Sequence, residues 1–166
     1  RAIELVEAQG GSVTTITVGD VTCDPIIRTA LAIGASDAVR IDANPTDSSQ
    51  VARLISNYAN DKSYDIIFAG KETIDHNSSA VPAMIAECMD LPYVALATSI
   101  DVDGDVSTLN CESTGGTNNV SVNGAFVLSA TKGMAEQRIP NMRGIMSART
   151  KPLAVVEASG VIATTE

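Results

Sequence analysis

Tryptophan is absent from the 166 residues, and phenylalanine and tyrosine together number five (two and three). A core built without large rings must rely on Ile, Val, Leu and Ala, the usual filling of sheets covered by helices. Histidine occurs once, at His76. A Ser–His–Asp triad would need that residue as its base, and no G-x-S-x-G elbow accompanies it. An exposed loop residue is the simpler reading. The three cysteines, Cys23, Cys88 and Cys111, are scattered without paired spacing. That argues against a disulfide framework or a zinc site and for a reducing compartment, so a cytoplasmic location is expected. No run approaches the length of a membrane span and no signal peptide is visible, so membrane insertion is not expected. Walker A, G-x-G-x-x-G, metal-ligand clusters and paired acid–base residues are all missing. No catalytic residue and no metal ligand is therefore expected, and binding is better supported than catalysis.

Positive charge is also scarce. Eleven Lys and Arg face 20 Asp and Glu, a net charge of −9, which argues against nucleic acid as a partner. The basic residues that do occur gather late: Lys132, Arg138, Arg143, Arg149 and Lys151, against Glu136 alone. Such a segment suits either a solvated face or a docking surface. Met134, Met142 and Met146 lie in the same stretch, as core or as an adaptable contact.

What the chain does have is rhythm. Residues 64–69 form a nearly continuous apolar run, ended by Gly70 and a polar turn. From Val81 the apolar positions Val81, Met84, Ile85 and Cys88 fall at helical spacing, with Ser79 as a candidate cap and Pro82 in the first turn. A strand, a glycine-containing loop and a helix N-terminus follow one another, the place where open α/β sheets bind phosphate. Ser78 and Ser79 can cap or donate to a phosphate, and Asp75 can meet a ribose hydroxyl or close an Asx-turn.

Taken in order, the chain begins inside a helical pattern ended by Gly10 and Gly11, so an opening strand is expected to be missing. A strand over 12–18 and a helix from Asp24-Pro25 to Gly34 come next, then a strand over 37–41. Asp47 and Gln50 suit a capping box before a helix bearing Val51, Leu54, Ile55 and Tyr58. Strands over 64–69 and 93–97 complete four alternations, the rhythm of βαβ crossovers in a parallel sheet. After residue 99 the rhythm breaks. Extended stretches over 106–109, 120–122 and 125–130, with a loop over 114–119, read as an antiparallel hairpin addition at the sheet edge. Residues 132–144 show neither period, 145–149 suit one or two helical turns, and 153–156 a final strand. The expected fold class is a Rossmann-like nucleotide-binding α/β domain with a mostly parallel sheet, a single domain over 1–157 followed by a loose tail over 158–166.

The segments CDPIIRTALAIGA, DIIFAGKETID and RIPNMRGIMSARTKPL, in this order and spacing, resemble the β subunits of electron transfer flavoproteins. That family shows an I-R-x-A-L-A-x-G-A helix, a G-K-Q-x-I-D loop and a R-Y-x-x-L-P-x-I-M-x-A-x-x-K segment. The resemblance implies an α/β domain that pairs with an α subunit holding the redox-active FAD and that itself binds AMP, or a second FAD. It implies an electron carrier serving acyl-CoA or other dehydrogenases rather than an enzyme. By position, the nucleotide contacts would be Val18, Gly19, Gly70, Lys71, Ile74, Asp75, Ser79, Ala80 and Val81, with Ser78 beside them. Partner contacts would be Arg138, Met142, Arg143, Ile145 and Met146, with Met142 where the family places an anchoring leucine. Ser79-Ala80-Val81-Pro82 stands where the family commonly has N-Q-T/V-G, so phosphate would depend on backbone N–H groups and the serines. Two other readings remain: an AMP- or ATP-binding regulatory module of the universal-stress-protein kind, and a hydrolase or transferase using His76 and Asp75.

Overall fold

The computed structural model describes residues 1–74 and 77–158. The chain divides into two compact units, one of residues 1–50 and 137–166, the other of residues 51–136.

In the first unit, α1 (Ala2–Gln9) precedes β1 (Thr14–Val18), α2 (Asp24–Ile33) and β2 (Asp37–Asp42). The late elements α5 (Met142–Ala148) and β8 (Leu153–Glu157) return to it. The strands form a wholly parallel sheet in the order β1-β2-β8. Strand β2 is central, and its Ala38–Ile41 stretch is buried on both faces. Helix α2 has Pro25 in its first turn as expected, but Asp24 is its first residue rather than its cap, and Cys23 stands at the cap position with no side-chain cap. Its inner residues Ile27 and Leu31 close over Ala35, Ala38 and Ala148.

The second unit holds β3 (Ile66–Gly70), α4 (Val81–Cys88), β4 (Tyr93–Asp103), β5 (Val106–Ser113), β6 (Gly116–Asn123) and β7 (Phe126–Ala130). Their sheet runs β3-β7-β4-β5-β6. Strands β3, β7 and β4 are parallel, while β4, β5 and β6 are antiparallel. The α/β class with parallel sheet and antiparallel addition is therefore present. Helix α4 packs Ile85 and Ala86 around Val127 of β7 and Ala52. Ala52 belongs to α3 (Ser48–Ala59), whose first turn spans the boundary between the units.

Three local expectations are corrected. Strand β7 is not part of an edge hairpin. It lies between β3 and β4, parallel to both, because Phe126, Val127 and Leu128 are all fully buried and need cover on both faces. The stretch over 114–119 is not a loop: only Thr114 and Gly115 turn, and Gly116 already pairs with Ser113. Residues 142–144 are helical, capped by the Asn141 side chain, which accepts from the Gly144 N–H at 2.7 Å. The expected capping box before α3 forms with a shift. Asp47 accepts from the Gln50 N–H, and the Gln50 side chain accepts from Thr46 rather than from Asp47. The tail over 159–166 lies outside the described residues.

Candidate functional site

In the second unit β3 and β7 end together at one edge, beside Ala97 midway along β4. Gly70 pairs with Ala130, the Lys71 N–H donates to the Ala130 carbonyl at 3.1 Å, and the Thr131 N–H donates to Ala97 at 2.9 Å. Gly70 is exposed, and a Cβ built on it meets nothing within 4 Å. Neither neighbours nor a positive φ demand a glycine there, so the open space before its backbone is available to a ligand. Strand β4 reaches this edge through a bulge, with Leu96 at φ 55, a conformation rare for a bulky residue. The Ser129 hydroxyl braces it, accepting from the Leu96 N–H at 3.0 Å and from the Tyr93 hydroxyl at 2.9 Å.

The loop from Lys71 onward is organised by Glu72. Lys71 Nζ lies 3.1 Å from one carboxylate oxygen, and the Ser79 hydroxyl donates to the other at 3.2 Å. The hydrogen bond and charge of Lys71, followed by the Ser79 contact, hold the Glu72 carboxyl below the usual range. This corrects the capping role expected of Ser79. It sits at φ 50 with its side chain turned back to Glu72, and α4 is preceded by Ala80 with no side-chain cap. Val81 and Ala83 present first-turn N–H groups, while Pro82 has none. Ile74 is 97% exposed, and Ser78 is exposed on the same loop. Asp75 and His76 lie outside the described residues.

Val18 and Gly19 belong to the first unit, at the carboxyl end of β1. The Gly19 N–H donates to Ile41 at 3.0 Å, and its carbonyl accepts from Arg40 at 3.0 Å. Both backbone groups are thus committed internally. A Cβ at Gly19 would stand 2.6 Å from Cys23 Sγ, so close packing accounts for the glycine. Arg40 is a residue that the sequence reading missed. Its guanidinium is buried, 2.9 Å from Asp42 and 2.8 Å from Asp24, the latter a charged contact without hydrogen-bond alignment. Desolvation disfavours this charge, but Asp42 and Asp24 more than offset it and the pKa moves up. A lone arginine amid the apolar residues of β2 was the available signal.

The late basic segment, also in the first unit, divides its cations. Arg138 makes a two-point contact with Glu7, at 2.8 and 2.6 Å. Arg28 donates to the carbonyls of Ala148 and Lys151, and Lys151 donates to those of Leu31 and Ala35. These bonds fasten α5 to α2. Gly144 sits at the contact, where a Cβ would come within 2.3 Å of the Ala32 carbonyl oxygen. With Gly144 and Ala148 turned inward, helical spacing sends Met142, Ile145 and Met146 outward. Met142 is 74% and Met146 67% exposed, and Ile139 beside them is 86% exposed. Met134, by contrast, is buried in the second unit. No group of three or more potential metal ligands occurs among the described residues. No helix among them is long and apolar enough to cross a membrane.

Parallel strands packed with helices and joined to an antiparallel extension define an α/β protein. A family model, the electron transfer flavoprotein domain, matches residues 1–161. The chain belongs to that family. Among its relatives are proteins named electron transfer flavoprotein subunit beta. One from Bacillus subtilis is 31% identical over 95% of this chain and 63% of its own length. Another, from Syntrophomonas wolfei, is 33% identical over 95% and 64%. The human protein of that name is 27% identical over 87% and 59%. The chain thus spans less than two thirds of the length of these relatives.

Proposed function

We propose that this chain serves as the β-type subunit of an electron transfer flavoprotein, paired with an α-type subunit and passing electrons from a dehydrogenase to an acceptor. The observation that carries this reading is the match to the family's domain over residues 1–161, with β subunits as the relatives. FAD held with the α-type subunit would supply the redox chemistry, and this chain's residues would bind, orient and dock. The reading places the assembly in the cytoplasm and assigns the isolated chain no turnover on small substrates.

A nucleotide, AMP or a flavin dinucleotide, is proposed for the second unit's strand end. The open face of Gly70, the Lys71 ammonium, the Ser78 and Ser79 hydroxyls and the Ala80–Val81 helix start support it. Lys71 and Ser79 would exchange Glu72 for a phosphate. Both contacts are exposed, and exposed ion pairs are weak. Met142, Ile145, Met146 and Arg143 are proposed as partner contacts. Arg138 would contribute by fixing the segment to α1 rather than by touching the partner.

Co-expression with an α-type subunit, followed by light scattering and a visible spectrum, tests the assembly. A yellow heterodimer is expected, and a colourless monomer would overturn the reading. Gly70→Val tests the nucleotide site. The added side chain has room in the fold, so retained AMP or flavin should fall while the melting temperature holds. Unchanged retention would move the site elsewhere.

A further inference from the structure

Between α2 and α5 the first unit has a groove of about 540 Å³, lined by Pro25, Thr29, Ala32, Pro140, Ile145 and Ala148. Most of the lining is apolar, with Arg28 also part of it, and Ile26, Ile139, Met142 and Met146 on the same two elements and their approach are exposed. Exposed apolar residues gathered on two neighbouring elements are a mark of an interaction surface. The charges on this face separate sharply. Arg28, Arg138 and Lys151 are committed to carbonyls or to Glu7. Arg143 and Arg149 are exposed and have no intramolecular acceptor among the described residues. Arg149 lines the groove and lies one helical turn from Ile145, in the same stripe as Met142 and Met146.

From the groove's apolar lining and the two guanidinium groups that line it, Arg28 and Arg149, we propose that the α2–α5 groove is a socket for an apolar side chain of the dehydrogenase, carried on a segment flanked by carboxylates. The inference rests on the reading of α5 as a docking face. It adds that docking is reciprocal: Met142 is offered to the partner, and the groove receives one of the partner's residues. Charge complementarity selects the occupant, because a basic segment would face Arg149 and Arg28 with like charge.

Thr29→Trp fills the groove from an exposed position of α2, outside the core. In the assembled heterodimer, reduction by an acyl-CoA dehydrogenase charged with its acyl-CoA should show an apparent KM raised roughly tenfold, as for loss of an interface anchor. Reduction by dithionite should be unchanged. A short amphipathic peptide of Leu and Glu should bind the wild type and lose affinity for Thr29→Trp and for Arg149→Glu. The same peptide with Lys for Glu should not bind. If Met142→Ala slows the dehydrogenase reaction and Thr29→Trp does not, the socket is overturned and the docking face stands. If neither variant slows it, the docking face itself falls. Equal binding of the acidic and basic peptides would also overturn the socket.

Discussion

At the scale of single residues, three environments give measurable consequences. Arg138 holds the Glu7 carboxyl below its ordinary pKa through their hydrogen bonds. A carboxylate depressed in the folded state contributes stability above its unfolded pKa, about 4.3, and loses it as pH falls through the lower folded value. Arg138→Met should therefore lower the melting temperature at neutral pH, and the difference from wild type should shrink as pH falls below the unfolded glutamate value. Thiol labelling should separate the cysteines. Cys88 is exposed, whereas Cys111 is buried and burial pushes its thiol pKa up. Ellman's reagent should label Cys88 rapidly at neutral pH and Cys111 only on unfolding, a prompt reaction at Cys111 counting against its placement. Ser129→Ala removes the acceptor of the part-buried Leu96 N–H, at a cost of about 1 kcal/mol, the low end for an unmet donor, readable in a urea titration.

Among elements, the clearest test is the α2–α5 contact. Gly144→Ala sets a Cβ against the Ala32 backbone oxygen, and backbone cannot yield as a flexible side chain can. A loss of about 1–3 kcal/mol is expected, against little change for Ser147→Ala on the exposed side of α5. That helix was hard to read in the sequence for a physical reason. It is only seven residues long, fewer than two full turns. Its large apolar residues face outward, so the usual pattern of apolar-in, polar-out is inverted. Helices α2 and α4 were legible because Ile27 with Leu31, and Ile85 with Ala86, bury one face each, while α3 buries Ala52, Ser56 and Ala59 on one face and Leu54 on another. The hairpin of β5 and β6 was half legible. Strand β5 alternates buried and exposed positions, while β6 is a polar edge whose Thr117, Asn118 and Asn119 read as loop. In the candidate site, the Gly70 turn and the start of α4 were visible from spacing. The Glu72–Ser79 contact was not, since a positive φ at a serine leaves no pattern in a sequence.

For the whole molecule, the order of strands in space differs from their order along the chain. Strands β3 and β4 make no ladder with one another in the described residues, and each is joined to β7. Strand β7 is the last of the second unit to appear in the sequence. The consequence is a timetable for synthesis. As the chain leaves the ribosome, β3 and α4 emerge with no parallel partner to hold them, and β4 with β5 and β6 can form only a three-stranded meander. The parallel half of the sheet must wait for residues 126–130, so it closes at once or not at all. A nascent chain stalled with residue 125 just outside the tunnel should be cut by protease within β3 and α4. One stalled after residue 136 has emerged should be protected there, its inserted strand acting as the keystone.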